Sequence, residues 1–334
     1  MLRHLESFRD RRVLITGGLG FIGSNLAHRL HGAGAQVTVY DCLEPRSGGN
    51  RYNLHGIGRG VRLLSGDIRD LEAVCEAVRG QDVVFHCAAC TSHSNAMLEP
   101  MLDVDVNCKG TLHVLEAVRR HAPEAKLVHL GTSTQVGRMR RTPIDEDHPE
   151  YPLDIYSANK TASEKYVLIY GHAYGLRTTV VRLANVFGPR AHIRGPSLGF
   201  INYFIGLALQ DRDLTIFGAG EQQRNVTYVD DAVEALLMAA AGERADGESL
   251  FATSDTHLTV AAIAAGIVRV IGAGRVRLVE WPSERRAIEF GDTQISNAKI
   301  RERLSWSPRH TFEEGLAQTR DYYRECLAHY LDVA

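Results

Sequence analysis

The 334-residue chain lacks any uninterrupted apolar run of about eighteen residues, so no segment reads as a membrane-crossing helix. Its opening stretch, Met1–Arg12, carries four arginines among acids and lacks the apolar core and small-residue cleavage site of an export signal, so a cytoplasmic protein is expected. An excess of one charge is lacking as well. Against 38 Lys and Arg stand 40 Asp and Glu, and the net charge of −2 gives no global attraction to nucleic acid or an anionic membrane. The six cysteines follow no framework spacing, and Cys87-Ala88-Ala89-Cys90 has no second pair to complete a zinc site. Reduced thiols and no metal are therefore expected. Internal repeats and low-complexity tracts are absent too.

What is present is an ordinary globular composition, 44% hydrophobic and 23% charged, over a length that suits one large domain or two joined ones. Short β-branched runs alternate with helical periodicity through the first half. Strands are predicted at Arg12–Thr16, Gln36–Tyr40, Val61–Ser65, Val83–His86, Lys126–Leu130 and Thr178–Leu183, with helices at Phe21–His31, Leu71–Val78, Val104–His121 and Ile155–Tyr174. This alternation predicts an α/β fold, a Rossmann-type doubly wound parallel sheet. After Leu183 the glycines and prolines at 188, 189, 195, 196 and 199 mark a change of unit. A smaller mixed α/β region follows, with helices at Phe200–Leu209, Val229–Ala241, Val260–Ile271 and Phe312–His329 and a strand at Val276–Glu280. The expected division is residues 1–183 for the dinucleotide, joined by a returning segment near 226–254, and 184–334 mainly for substrate.

Between the first strand and helix, Gly17, Gly20 and Gly23 fall at G-x-x-G-x-x-G spacing, with Phe21 and Ile22 between the last two. Glycines there permit a tight turn, let backbone N–H groups approach a pyrophosphate, and allow close packing of helix on strand. Asp41, at the end of the second strand, can accept hydrogen bonds from the adenosine ribose hydroxyls and would repel a 2′-phosphate, favouring NAD over NADP. Asp67-Ile68 and Ala88-Ala89 follow the third and fourth strands, at the carboxyl ends where such sheets bind ligands.

Tyr156 and Lys160 are four residues apart on one predicted helix face. A nearby ammonium favours the phenolate and brings a phenol toward the range useful for acid–base catalysis. Ser133 and Thr134, after the fifth strand, supply hydroxyls for a substrate oxygen that alternates between alcohol and ketone.

The glycine motif, the strand-end Asp41, His86–Ala89 as H-x-A-A, Asn107, the Ser/Thr cluster and Y-x-x-x-K occur in the order of a known family. Over nearly the whole chain the sequence resembles the extended short-chain dehydrogenase/reductases, the NAD-dependent nucleotide-sugar epimerases and dehydratases of the UDP-glucose 4-epimerase type. The resemblance implies Tyr156 as acid and base, Lys160 as its electrostatic partner and Ser133 as the hydroxyl on the reacting oxygen, with Asn107 ordering a water or backbone carbonyl near Lys160. It further implies Asn185 as a substrate-binding asparagine, Arg224 and Arg286 as diphosphate ligands, and a homodimer through a four-helix bundle of Val104–His121 and Ile155–Tyr174.

Relatives that dehydrate resemble Thr-Asp-Glu where this chain has Ser133-Thr134-Gln135, and the glutamate of decarboxylating relatives is missing at Thr134. Without these acids the resemblance implies epimerisation, at C4 of a UDP-hexose such as UDP-glucose, UDP-glucuronate or UDP-N-acetylglucosamine. The alternatives are a 4,6-dehydratase, a C2 epimerase of CDP-sugars and a non-catalytic nucleotide sensor. The family motif usually closes Val-Tyr-Gly, here read as Val136-Gly137-Arg138, and a common serine is replaced by Ala96. Thr293 would fall at the position gating pocket size, and Arg190 and Arg194 would face a C6 carboxylate.

Overall fold

The structure, a computed structural model, describes residues 3–282 and 291–331. Seven strands form a parallel sheet: β1 (Arg12–Thr16), β2 (Gln36–Asp41), β3 (Arg62–Ser65), β4 (Val83–His86), β5 (Lys126–Thr132), β6 (Thr178–Leu183) and β11 (Glu248–Ala252). Their spatial order is β3-β2-β1-β4-β5-β6-β11, so the order reverses beside β1, where ligands bind in such sheets. Three small two-stranded sheets use β7 (Val186–Phe187) with β10 (Thr227–Tyr228), β8 (Asp213–Phe217) with β13 (Arg275–Val279), and β9 (Gln223–Asn225) with β12 (His257–Thr259).

The helices in chain order are α1 (Arg3–Glu6), α2 (Phe21–Gly32), α3 (Leu71–Val78), α4 (His93–Leu98), α5 (Pro100–Asp103), α6 (Thr111–His121) and α7 (Ile155–Tyr174). Then come α8 (Phe200–Leu209), α9 (Val229–Ala241), α10 (Val260–Ile271), α11 (Ala298–Leu304), α12 (Phe312–Cys326) and α13 (Ala328–Leu331). Among the described residues no helix is long and apolar enough to cross a membrane.

The strands are nearly continuous apolar runs because helices cover both faces, and the two-residue period sorts their side chains between two cores. Leu14, Val84, Leu127 and Val180 face α3, α6 and α7, meeting Val78, Val118 and Val167. Val13, Ile15, Phe85, Val128 and Val181 face α2 and α9, meeting Leu26, Leu30, Val233 and Leu237. Each such side chain contributes about 1.5–3 kcal/mol on burial. The C-terminal segment docks on α9: Trp306 donates to the Asp231 carbonyl, and the Asp231 carboxylate accepts the backbone N–H groups of Arg309 and His310.

Several predicted elements differ. The helix predicted over Val104–His121 is preceded by α5, runs as a π-helix over Val104–Gly110, and becomes α-helical only at Thr111. Such segments cluster where a side chain must be re-aimed, and this one carries Asn107. The terminal helix is split into α12 and α13, and β13 lies one residue earlier than predicted, set by its parallel pairing with β8. The fifth strand runs two residues beyond Leu130, because Gly131 and Thr132 pair with Arg182 and Leu183.

Candidate active site

Backbone contact between β1 and β4 creates the first part of the site. Gly17 has φ +67°, and a Cβ there would lie 2.7 Å from the backbone of Ala88; one on Gly23 would run into the Gly17 carbonyl. Side chains are excluded, and the N-terminus of α2 opens onto a cavity of about 310 Å³. Gly17, Gly20, Phe21, Ile22, Gly23, Asp41, Asp67, Ile68, Ala88 and Ala89 all line it, and it extends to Tyr156, Lys160 and Asn185. The Asp41 carboxylate is fixed by the N–H groups of Leu19 (2.9 Å) and Leu43 (2.8 Å), while burial raises its pKa. Asp67 is held by Arg69 at 2.6 Å. A glycine-walled helix N-terminus, a carboxylate at the far end of β2 and an ammonium at the other end match the pyrophosphate, adenosine ribose and nicotinamide ribose of a dinucleotide.

Asn107 does not line this cavity. From the π-helical segment its amide clasps Cys90, accepting from the backbone N–H at 3.0 Å and donating to the carbonyl at 2.9 Å. It also donates to Asp103 at 2.9 Å, so it braces the loop after β4.

Tyr156 and Lys160 sit in the first turns of α7, whose start is fixed by Asp154 accepting the Ser157 N–H at 2.9 Å. Both side chains are buried. Burial pushes the Tyr156 phenol far up, the nearby Thr132 hydroxyl pulls it back in part, and the charges of Asp103 and Asp154 raise it again. Burial lowers Lys160 to about 8 against the opposing pull of Glu164, Cys87 and Asp103. Its Nζ lies 3.0 Å from Nε2 of His129, which is fully buried.

A second buried imidazole, His86, stands beside His129 with ring centroids 5.1 Å apart. The Thr111 hydroxyl donates to the Asn107 carbonyl at 2.6 Å, so it accepts from His86 Nε2 at 3.1 Å, and His86 Nδ1 accepts from Thr16 at 2.8 Å. His86 is therefore neutral with its proton on Nε2, and burial lowers it to about 3. A charged Lys160 only donates, so His129 accepts through Nε2.

The hydroxyls at the end of β5 and after it sit in different surroundings. Thr132 lines the cavity, and half-buried Ser133 is not part of the lining. Leu130, Gly131 and Thr132, the last residues of β5, all reach the cavity. Gly137 has φ +64°, and a Cβ there would strike the Tyr151 carbonyl. Thr134 turns away to bond Thr132 and Ser157.

Gln135 is wholly buried and donates to Glu164 (2.9 Å) and Glu150 (3.1 Å). The same carboxylates hold Arg182, which is bidentate on Glu164 at 2.9 and 2.5 Å and reaches Glu150 at 2.6 Å, while Ser249 donates to Glu164. Burial raises the Glu164 carboxyl, but Arg182, Gln135 and Ser249 bring it below its ordinary range.

The substrate candidates divide. Asn185 lines the cavity with φ +42°, a backbone strain tolerated best by Asn and Gly. Buried Arg224 donates to the carbonyls of Gln223 (2.8 Å) and Gly291 (2.6 Å), and Thr293 bonds the same Gln223 carbonyl at 3.3 Å. Neither lines the cavity. Arg194 is exposed on the loop after β7. Arg190 does not face open space: it donates to Asn25 at 2.9 Å and its guanidinium lies 5.1 Å over Tyr322. Arg286 lies outside the described residues.

Residues 13–250 match the NAD dependent epimerase/dehydratase family. The chain is 33% identical to the UDP-N-acetyl-alpha-D-glucosaminuronate decarboxylase of Bacillus cytotoxicus, covering 94% of this chain and 98% of that one. It is 32% identical to the dTDP-glucose 4,6-dehydratase of Streptomyces niveus, covering 94% and 93%. Among solved structures, the Thermus thermophilus UDP-glucose 4-epimerase complex with NAD superposes with a TM-score of 0.84 at 30% identity, over 94% of this chain and 99% of that one.

Proposed function

Because the chain belongs to the NAD-dependent epimerase/dehydratase family, an enzyme family acting on nucleotide sugars, we propose that it epimerises a nucleotide sugar at C4 of a UDP-hexose through a transient ketone. One observation carries this reading: the hydroxyl, phenol and ammonium set has no carboxylate on the β5 loop. Ser133, Thr134 and Gln135 hold no acid, and Gln135 is committed to Glu150 and Glu164 below the site. Elimination needs an added acid and base that this loop does not supply.

When bound, NAD takes up and returns the hydride. Tyr156 removes the proton from the sugar hydroxyl at its phenolic oxygen and later restores it, and Thr132 hydrogen-bonds the same sugar oxygen. The Lys160 ammonium, seated on His129, favours the phenolate and holds the nicotinamide ribose, while Asp41 holds the adenosine ribose. Asn185 orients the sugar-nucleotide. The ketone turns over within the cavity before reduction on its other face. Residues 1–183 with 226–254 form the dinucleotide unit in this reading, and 184–334 mainly hold the nucleotide sugar. A homodimer through α6 and α7 would cover Ile169 and Tyr174, which are 55% and 56% exposed.

Purified protein is expected to convert one of a panel of nucleotide sugars into its epimer with no net NADH. A 4-keto-6-deoxy product would replace this reading with dehydration.

A further inference from the structure

The C-terminal tyrosines reach the dinucleotide turn through one buried side chain. Asn53, in the 3₁₀ turn Arg51–Leu54 after β2, is wholly buried. Its Nδ2 donates to the Leu19 carbonyl at 2.9 Å and to the Arg190 carbonyl at 3.2 Å, while its Oδ1 accepts from the Tyr330 hydroxyl of α13 at 2.6 Å. Both amide hydrogens are used, and turning the amide over would set its oxygen against two carbonyls, so its orientation is fixed. Tyr330 has one hydroxyl hydrogen and gives it to Asn53, so the Tyr322 hydroxyl donates to Tyr330 at 2.5 Å.

The two carbonyls belong to facing walls of the cavity. Leu19 lies between Gly18 and Gly20 of the glycine turn; its N–H donates to Asp41 at 2.9 Å, and its carbonyl also accepts the Asn50 N–H at 3.0 Å. Arg190 precedes Ala191 and His192, which line the cavity. Between Asp41 and Asn50, Ser47, Gly48 and Gly49 line it as well. The two walls touch there: a Cβ on Gly48, where φ is +79°, would lie 2.7 Å from Leu198 and 3.1 Å from His192. The C-terminal segment grips both. Asn50 Nδ2 donates to the His329 carbonyl at 2.9 Å, and the His329 ring stacks on Tyr52 with centroids 3.9 Å apart. From α12 the Tyr323 hydroxyl donates to the Ala191 carbonyl at 2.8 Å.

We propose that Asn53, locked by Tyr330, is a positioning residue that keeps the glycine turn and the 189–192 loop together, so that the C-terminal helix governs how long NAD stays bound. The inference concerns the dinucleotide and does not depend on which sugar is turned over. Parting Gly48 from His192 and Leu198 moves Leu19 relative to Arg190, and both carbonyls are pinned to one amide. Without the Tyr330 hydroxyl the amide loses the bond that sets its orientation, and the pair of carbonyls is released together. Pre-assembled walls cost NAD nothing to order on binding and must be broken before it leaves.

The test mixes the NADH complex of the full-length protein with excess NAD in a stopped-flow instrument and follows the loss of NADH fluorescence. Tyr330→Phe, which removes one oxygen and keeps the ring, is expected to raise the dissociation rate by about tenfold while changing association by less than about twofold. Asn53→Ala should raise it at least as much, and adding Tyr330→Phe to Asn53→Ala should change nothing further, because the hydroxyl acts only through the amide. Hydrogen exchange at the Asn50 N–H, which rests on the Leu19 carbonyl, should quicken in both variants while β1 is unchanged. Thr319→Val removes a buried hydroxyl from the same α12 helix, 2.6 Å from the Gly315 carbonyl, without touching the Asn53 contacts, and is expected to leave the rate alone. Dissociation at the parent rate in Tyr330→Phe, additive rates in the double variant, or an equal acceleration in Thr319→Val would overturn the proposal. Failure of the chain to convert any nucleotide sugar would sink the epimerase reading instead, since dissociation is read without substrate.

Discussion

Two regions on one helix, α7, handle buried charge in opposite ways. Near its N-terminus Tyr156 and Lys160 are buried with few compensating contacts, and burial pushes the phenol up and the ammonium down to about 8. One turn beyond Lys160, equally buried Glu164 is met by a bidentate Arg182, Gln135 and Ser249, and stays ionised. A charge that is fully matched fixes geometry, whereas an under-matched one keeps a proton that can move. The difference explains why Gln135 acts as a brace between Glu150 and Glu164.

The contrast is broken most severely by removing one side of each arrangement. Tyr156→Phe is expected to lower turnover by about a thousandfold while thermal stability is kept, as measured by epimer formation and by melting. Arg182→Leu should do the reverse, costing about 3–5 kcal/mol in urea unfolding by stranding Glu164 without its cation. The acid limit follows the same partner. Glu164 has a folded pKa below its unfolded value, so its contribution is present above the ordinary carboxylate range and is lost as pH falls through the folded value; Glu164→Gln should flatten that loss in denaturation curves at low pH.

Gln135→Glu would place a third carboxylate against Glu150 and Glu164 beside one guanidinium, and a loss of about 1–3 kcal/mol is expected with no dehydrated product by mass spectrometry. Smaller still is the difference between neighbours on the β5 loop. Thr132→Ala should reduce kcat about tenfold and Ser133→Ala by less than about twofold, and equal losses would return the catalytic hydroxyl to Ser133. The gentlest probe is pH. Lys160 loses its ammonium above about 8, so kcat is expected to decline on the alkaline side of that value and to stay flat just below it.

Much of the site was legible because its signals are local. The glycines report a turn that tolerates no Cβ, and the four-residue spacing of Tyr156 and Lys160 reports a shared helix face. Thr132 was not foreseen in the cavity lining because β5 runs two residues past Leu130, which carries Gly131 and Thr132 to the cavity. His129 follows the same logic from the other face of the strand, where it meets Lys160. His93 and Asp154 are 61 residues apart, and no short-range pattern connects them.

The sequence by itself determined the alternation of strands and helices, the dinucleotide turn and the Tyr156–Lys160 pair, because each is set by spacing within one or two elements. Only the tertiary structure decided which hydroxyl lines the cavity, where Gln135 and Arg190 point, and that His93 packs on Tyr156. Those depend on strand register and on contacts between distant segments, where one residue of shift reverses the face a side chain presents.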